Sequence, residues 1–257
     1  MRTIAVITII TLFASFIPPD SVVTRFKTPP GFHRVEVKPG SFAAYLQSLP
    51  LKPQGAHCLA YNGNIAATDH ETAAVVEMSV GKHDLQQCAD AVMRLRGEYL
   101  YSQKRYKEIS FHFVSGFVCD YIHYAKGYRY QDDKWVHTAK PDYSYEAFMK
   151  YMELVFSYAG TPSLEKELKP VTDPAKLKAG DVFIHGGHPG HCFIVMDVAE
   201  NDKHEKQFLL AQSFMPAQNI QVLQNAPGYE WFSMDKTSGI WYGELIKPGY
   251  LRRFEHD

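Results

Sequence analysis

The sequence predicts an α+β fold in which a helix carrying a cysteine packs on a central antiparallel sheet. Cys192–Val198 and Phe208–Phe214 are apolar runs rich in β-formers, separated by the polar stretch Ala199–Gln207, the pattern of two neighbouring antiparallel strands. A third run, Val182–His185, leads in and breaks at Gly186-Gly187, where a turn costs least. Leu85, Cys88, Val92, Leu95 and Tyr99 recur at helical spacing and form the buried face of one helix. His191 therefore opens a buried strand directly after Pro189-Gly190. Gln212 falls near the end of the following strand, a polar side chain in an apolar run that needs a partner.

The other elements follow in chain order. Pro18–Pro30 carries prolines without periodicity, so residues 20–30 read as a linker ahead of one domain over 31–257. Phe32–Val37 alternates as a strand. Ser41 caps a short helix, Phe42–Leu49, closed by Pro50 and Pro53. Gly55–Glu71 is polar and loop-like, and Ala73–Val80 is a β-rich run ended by Gly81. Asp84 reads as the N-cap of the cysteine helix, which puts Cys88 in its first turn on the inward face. Glu108–Val114 alternates as a strand and turns at Ser115-Gly116. Phe117–Tyr130 is aromatic and fits either state, and Asp132–Asp142 reads as loop. Ser144 caps a long amphipathic helix, Tyr145–Ala159, with Phe148, Tyr151, Met152, Val155 and Tyr158 inward and Gly160 at its end. Ser163–Leu168 adds a helical turn or two and Ile220–Leu223 a short strand. Asn225–Ser238 is loop, and Tyr250–Phe254 closes the sheet at its edge.

Apolar residues make up 46% of the 257 residues, aromatics 14% and charged residues 21%, an ordinary globular composition in a chain long enough to bury a proper core. The net charge of −1 gives no electrostatic argument for nucleic acid or an anionic membrane surface. Residues 1–19 read as a secretion signal: basic Met1-Arg2, the uncharged run Thr3–Ile17, too short to span comfortably, and a helix-breaking Pro18-Pro19 exit. The alternative is a retained anchor, the only case in which the chain would be tethered to a membrane. Export would let Cys58, Cys88, Cys119 and Cys192 pair as disulfides. Their spacing matches no zinc or redox motif and leaves room for a free thiol.

A cysteine at a helix N-terminus, a histidine opening a strand and a polar residue on the next strand amount to a thiol nucleophile, its base and a group that orients the base. The helix end favours the Cys88 thiolate, His191 takes the proton, and Gln212 holds one imidazole nitrogen so that the other faces sulfur. Backbone N–H groups near Cys88, with Gln86 or Gln87, would stabilise an oxyanion. The plainer reading of Cys88 is a small apolar core residue.

This set resembles the papain-like cell-wall hydrolases, the NlpC-type and CHAP-type cysteine peptidases and amidases, over Gly81–Phe214. Gly180-Asp181-Val182-Phe183 matches their Gly-Asp lead-in, Gly190-His191 with Phe193–Met196 their histidine strand, and Gln212 their third polar position. The chain departs at Gln87-Cys88-Ala89-Asp90, where those families have Asp-Cys-Ser-Gly or similar. Its long Cys88-to-His191 separation also calls for an insertion over Glu108–Tyr130. Over its whole length the chain resembles, in addition, a family of exported proteins without established activity from Bacteroides-type bacteria. Gly81–Tyr101 and Gly180–Gln218 carry that likeness. The first resemblance implies a papain-like fold and a cofactor-free peptidase or amidase of the periplasm or cell envelope, acting on peptide bonds of wall fragments. The second implies no reaction.

Two rival readings stand beside it. A Cys88 out of reach of His191 would leave a ligand-binding module on the same scaffold, with the aromatic-rich Tyr121–Tyr130 and Tyr229–Tyr242 lining its groove. His185, His188 and His191, spaced across the Gly-rich turn, are alternative zinc ligands. Asp197 shares the parity of His191 but sits roughly 20 Å along the strand, too far to orient the imidazole.

Overall fold

An apolar side chain needs only a hydrophobic neighbour to dock, and the stretch read as a linker has one. In the computed structural model, which describes residues 20–255, α1 (Val22–Arg25) buries Val22 completely, and the Trp231 indole N–H donates to the Lys27 carbonyl at 2.9 Å. Residues 20–30 therefore belong to the domain. The signal or anchor read over 1–19 lies outside the described residues. The alternating Phe32–Val37 shortens to β1 (His33–Arg34), and Ser41 accepts the Ala44 N–H at 3.2 Å to start α2 (Phe42–Ser48). β2 is Thr72–Val75.

The cysteine helix, α3 (Cys88–Ser102), starts later than Asp84 suggests. Asp84 Oδ1 accepts the distant Ala217 N–H at 2.6 Å, whereas Asp90, in the first turn, accepts the Gln87 N–H at 3.0 Å. Gln87 is thus the N-cap and Cys88 the first helical residue. The helix is buried almost all round, Arg94 and Arg96 included, so the apolar spacing reports only one of the faces it covers.

After α3 come two hairpins off the main sheet. β3 (Ser110–His112) pairs with β4 (Val118–Asp120), α4 (Tyr121–Ala125) follows, and β5 (Tyr128–Gln131) pairs with β6 (Lys134–His137). β6 replaces part of the loop expected over Asp132–Asp142. Its turn, Asp132-Asp133, has φ of 49° and 55°, the left-handed pair that a two-residue hairpin loop requires. Ser144 accepts the Ala147 N–H at 3.2 Å and starts α5 (Tyr145–Tyr158) as expected. Tyr158 is exposed, and Gly160 is extended backbone that opens α6 (Thr161–Glu167) instead of closing α5.

The chain then forms β7 (Lys169–Pro170), β8 (Val182–His185), β9 (His191–Glu200), β10 (Lys206–Gln212), β11 (Gln221–Leu223) and β12 (Leu251–Arg253). These strands with β1 and β2 make one eight-stranded antiparallel sheet in the order β2-β11-β10-β9-β8-β12-β7, β1 pairing with the far end of β9. β12 lies inside the outermost strand, not at the edge. The pleat divides β9 between two cores. Cys192, Ile194 and Met196 join Val92 and Leu95 of α3, and Phe193 and Val195 join Phe208 and Leu210. Among the described residues no helix is long and apolar enough to cross a membrane.

Two buried carboxylates tie the sheet together. Asp197 accepts from Arg34 Nε and Gln47 Nε2, both at 2.6 Å, which gives it a structural role. Asp181, of the Gly-Asp lead-in, accepts from Arg253 Nε and Nη2 at 2.6 and 2.8 Å and from the Lys178 N–H at 3.0 Å. Burial raises the Asp181 carboxyl above its usual range, and Arg253 opposes the rise. Arg253→Met strands that carboxylate and will lower the unfolding free energy by about 3 kcal/mol at neutral pH, read by urea denaturation. The loss of Arg253 raises the folded-state carboxyl further. The deficit is therefore full at neutral pH and shrinks as acid protonates Asp181 in the folded chain. A deficit that ignores pH would place the effect elsewhere.

Candidate functional site

α3 packs against β9 and sets its first residue against the strand's first two. Cys192 and His191 both lie close enough to the Cys88 sulfur to favour its thiolate. His191 Nε2 donates to Gln212 Oε1, the last residue of β10, at 2.7 Å, which leaves Nδ1 for the sulfur. The three residues singled out in the sequence, Cys88, His191 and Gln212, are thus brought together. Gln212 Nε2 donates in turn to Glu71 Oε2 at 3.4 Å, and Glu71 Oε1 accepts the Trp241 N–H at 2.7 Å. A carboxylate can only accept, so it turns the Gln212 amide nitrogen toward itself and the carbonyl oxygen toward the imidazole. Tyr242 stacks on His191 with centroids 4.7 Å apart and planes at 23°, and Phe193 and Phe214 meet the same ring at 4.7 and 5.2 Å.

These contacts tune the sulfur. The Cys88 thiol is held well below the usual thiol range, first by the hydrogen bond from Cys192, then by the hydrogen bond and charge of His191, with the Ala89 N–H helping and burial opposing. The start of a helix adds its own preference for negative charge. Cys192 moves the other way, pushed up by burial and then by the neighbouring Cys88 sulfur. Asp90 is likewise raised well above the carboxylate range by burial, and its Oδ1 has no hydrogen-bond partner.

Cys88 is 8% exposed and lines a cleft of about 330 Å³ with Gln87, Thr161, His188, Gly190 and Met215. The loop between β8 and β9 forms one wall, and its glycines are there because of close approach. A Cβ on Gly190 would lie 2.3 Å from Thr161 Oγ1 and 2.7 Å from the Gly187 backbone. Gly190→Ala will therefore push this loop off α6, at a cost of about 2 kcal/mol. For a chain of this size that is a fall in Tm of about 6 °C, read in a thermal melt. An unchanged melt would show that the loop has room to give.

The two oxyanion candidates separate. Gln87 lines the cleft, its Nε2 reaching Asp84 Oδ1 at 3.4 Å. Gln86 is buried beside it and lines a neighbouring cavity of about 270 Å³ with Arg94, whose Nη1 donates to Gln86 Oε1 at 2.6 Å. It does not line the Cys88 cleft. Nor do the histidines converge: His185 meets the Tyr250 ring while His191 turns to Gln212. Among the described residues no group of three or more His, Cys, Asp or Glu side chains could hold a metal ion. Cys58, Cys88, Cys119 and Cys192 are all free and buried, so none of the disulfides that export would permit is formed.

Sequence reasoning missed Glu71 and the place of Cys192 at the site, and took Tyr242 only as the end of the aromatic segment Tyr229–Tyr242. Cys192 left a signal, because the alternation of β9 puts it on the face of Ile194 and Met196, toward α3.

Fold and site together define an α+β protein with a cysteine–histidine–amide cluster beside a cleft. The chain belongs to the family described as a domain of unknown function (4846), whose model matches residues 22–248. No curated protein and no solved structure matches it. Membership supplies no reaction, so the chemistry has to come from the site.

Proposed function

We propose that the protein is an exported cysteine hydrolase on a papain-like scaffold, a peptidase or amidase that cleaves peptide bonds, with cell-wall peptides as its substrate class. The observation that carries this reading is the His191–Gln212 hydrogen bond placed beside Cys88 at an open cleft, with His191 among the groups that hold the thiol low. The basic–apolar–proline N-terminus supports export to the periplasm or cell envelope, and the likeness to wall hydrolases supports the substrate.

In this reading the Cys88 thiolate attacks the scissile carbonyl carbon. N–H groups of the first turn of α3, with Gln87 at the rim, receive the oxyanion. His191 hands the proton to the leaving amine, whose departure leaves an acyl-thioester on Cys88. Water, deprotonated by His191, then releases the carboxylate and returns the thiolate. Gln212 keeps the imidazole turned toward sulfur through both steps. No cofactor is needed.

The test is incubation of the purified protein with wall muropeptides and short synthetic peptides, with new amines and carboxylates read by mass spectrometry. Cleavage by the wild type and none by Cys88→Ala supports the proposal. A protein whose Cys88 alkylates rapidly yet yields no product, while a wall peptide still binds, is a ligand-binding module on the same cleft.

A further inference from the structure

The nucleophile candidate is not the only thiol at this site. Cys192 follows His191 directly, faces α3, shares one core with Cys88 where α3 packs on β9, and lies close enough for each sulfur to shift the other's proton affinity. The two differ in access. Cys88 opens to the cleft, whereas Cys192 is 0% exposed and lies behind it. A solute that enters the cleft meets the Cys88 sulfur, while Cys192 sits buried in the core that Cys88 joins.

We propose that Cys88 and Cys192 are an oxidisable dithiol, a modification site at which a hydroperoxide entering the cleft converts the pair to a disulfide. The Cys88 thiolate attacks the outer oxygen of the hydroperoxide, the O–O bond breaks, and Cys88 becomes a sulfenic acid as hydroxide or alkoxide leaves. The Cys192 sulfur then attacks the Cys88 sulfur, the S–O bond breaks, and water departs with the Cys192 proton. The hydroperoxide takes up the two electrons that the thiols lose.

The asymmetry of the pair shapes each step. Only a thiolate attacks peroxide quickly, and of the two thiols Cys88 is the one held low. Oxidant in bulk solvent does not reach Cys192, which reacts only through its neighbour. In the reverse direction an external thiol can attack only Cys88, and Cys192, whose thiol is pushed up, is a poor leaving group. The disulfide, once formed, is therefore reduced slowly. While it stands, Cys88 is shielded from further oxidation. The inference needs the activated thiol but not peptide hydrolysis.

The experiment treats the native full-length protein with hydrogen peroxide, blocks remaining thiols with N-ethylmaleimide after denaturation, and maps peptides without reduction. The expected result is a linked Cys88–Cys192 peptide, with Cys58 and Cys119 recovered as maleimide adducts. In Cys192→Ala the link is impossible, and Cys88 should pass to sulfinic acid at least about tenfold more than in the wild type. Cys192→Ala also removes the neighbour that most lowers the Cys88 thiol, so its sulfinic acid is compared with the wild type at a pH where the two proteins alkylate Cys88 at equal rates. A wild type that accumulates sulfinic acid at Cys88 as fast as the variant, or that links Cys88 to another cysteine, overturns the proposal. So does a Cys88 left reduced by peroxide while it still alkylates rapidly. The readout is mass alone, so a chain that cleaves no peptide can still pass, and an active hydrolase can fail.

Discussion

His191→Ala will cut peptide turnover by about a thousandfold and slow alkylation of Cys88 at pH 7 by about tenfold. The two effects have separate causes. Turnover loses both the acceptor of the thiol proton and the donor to the leaving amine. Alkylation loses only the part of the thiolate preference that His191 supplies, and Cys192 and the Ala89 N–H still contribute. The pH dependence should separate them. In the wild type the depressed thiol keeps alkylation fast at neutral pH and loses it only as acid protonates the sulfur. In the variant the rate should still be climbing toward the ordinary thiol range near pH 8.5. Stability follows the same sign. A depressed folded-state thiol stabilises fully above the unfolded thiol value, and this contribution is lost as pH falls through the folded value. The deficit of His191→Ala from this source should therefore grow from neutral toward alkaline pH. Internal controls are built in: burial pushes Cys58 up to about 12 and raises Cys119 further, so neither should react in the folded protein. Equal alkylation rates in wild type and variant would remove His191 as the partner of the sulfur.

The elements that could be read from the sequence are those whose cause is local. Ser41 and Ser144 cap helices that begin one residue later, because a hydroxyl accepting an N–H three residues on is a short-range event. The strands around His191 were legible from composition and alternation alone. What could not be read is set by contacts far away in sequence. Asp84 lost its role as N-cap to a backbone N–H 133 residues on. Glu71, at the end of a polar loop with no periodicity, gains its place from Gln212 and Trp241, 141 and 170 residues distant. The Asp132-Asp133 turn was hidden for another reason. Aspartate tolerates the left-handed region without the strong Asn-Gly signature, so an ordinary acidic stretch concealed a hairpin. Cys88, His191 and Gln212 could be picked out because each is a chemically reactive or polar side chain at the end of a well-marked element. Their support comes from aromatic and acidic residues in loops, where sequence pattern carries little.

Gln212→Ala should lower turnover by about a hundredfold while leaving the Cys88 thiol itself in place. Gln212 is a positioning residue in the proposed mechanism: it touches the imidazole, not the substrate. Its removal deletes the acceptor of His191 Nε2–H, and the ring is then held by stacking on Tyr242, a contact that fixes its plane but not its rotation within the plane. Glu71→Ala tests the same link one step further out. It takes away the acceptor for the buried Gln212 amide and the partly buried Trp241 N–H, and should cost about 2 kcal/mol of stability. Gln212 then loses the contact that orients its amide, so turnover should fall about tenfold, and the alkylation profile of Cys88 should move toward that of Gln212→Ala. Glu71→Gln supplies one acceptor oxygen instead of two and can satisfy Gln212 or Trp241 but not both. It should lie between wild type and Glu71→Ala in both measurements. If Glu71→Ala lowers stability and leaves the alkylation profile of Cys88 unmoved, the carboxylate only anchors the Trp241 segment, and His191 is held by Gln212 and Tyr242 without it.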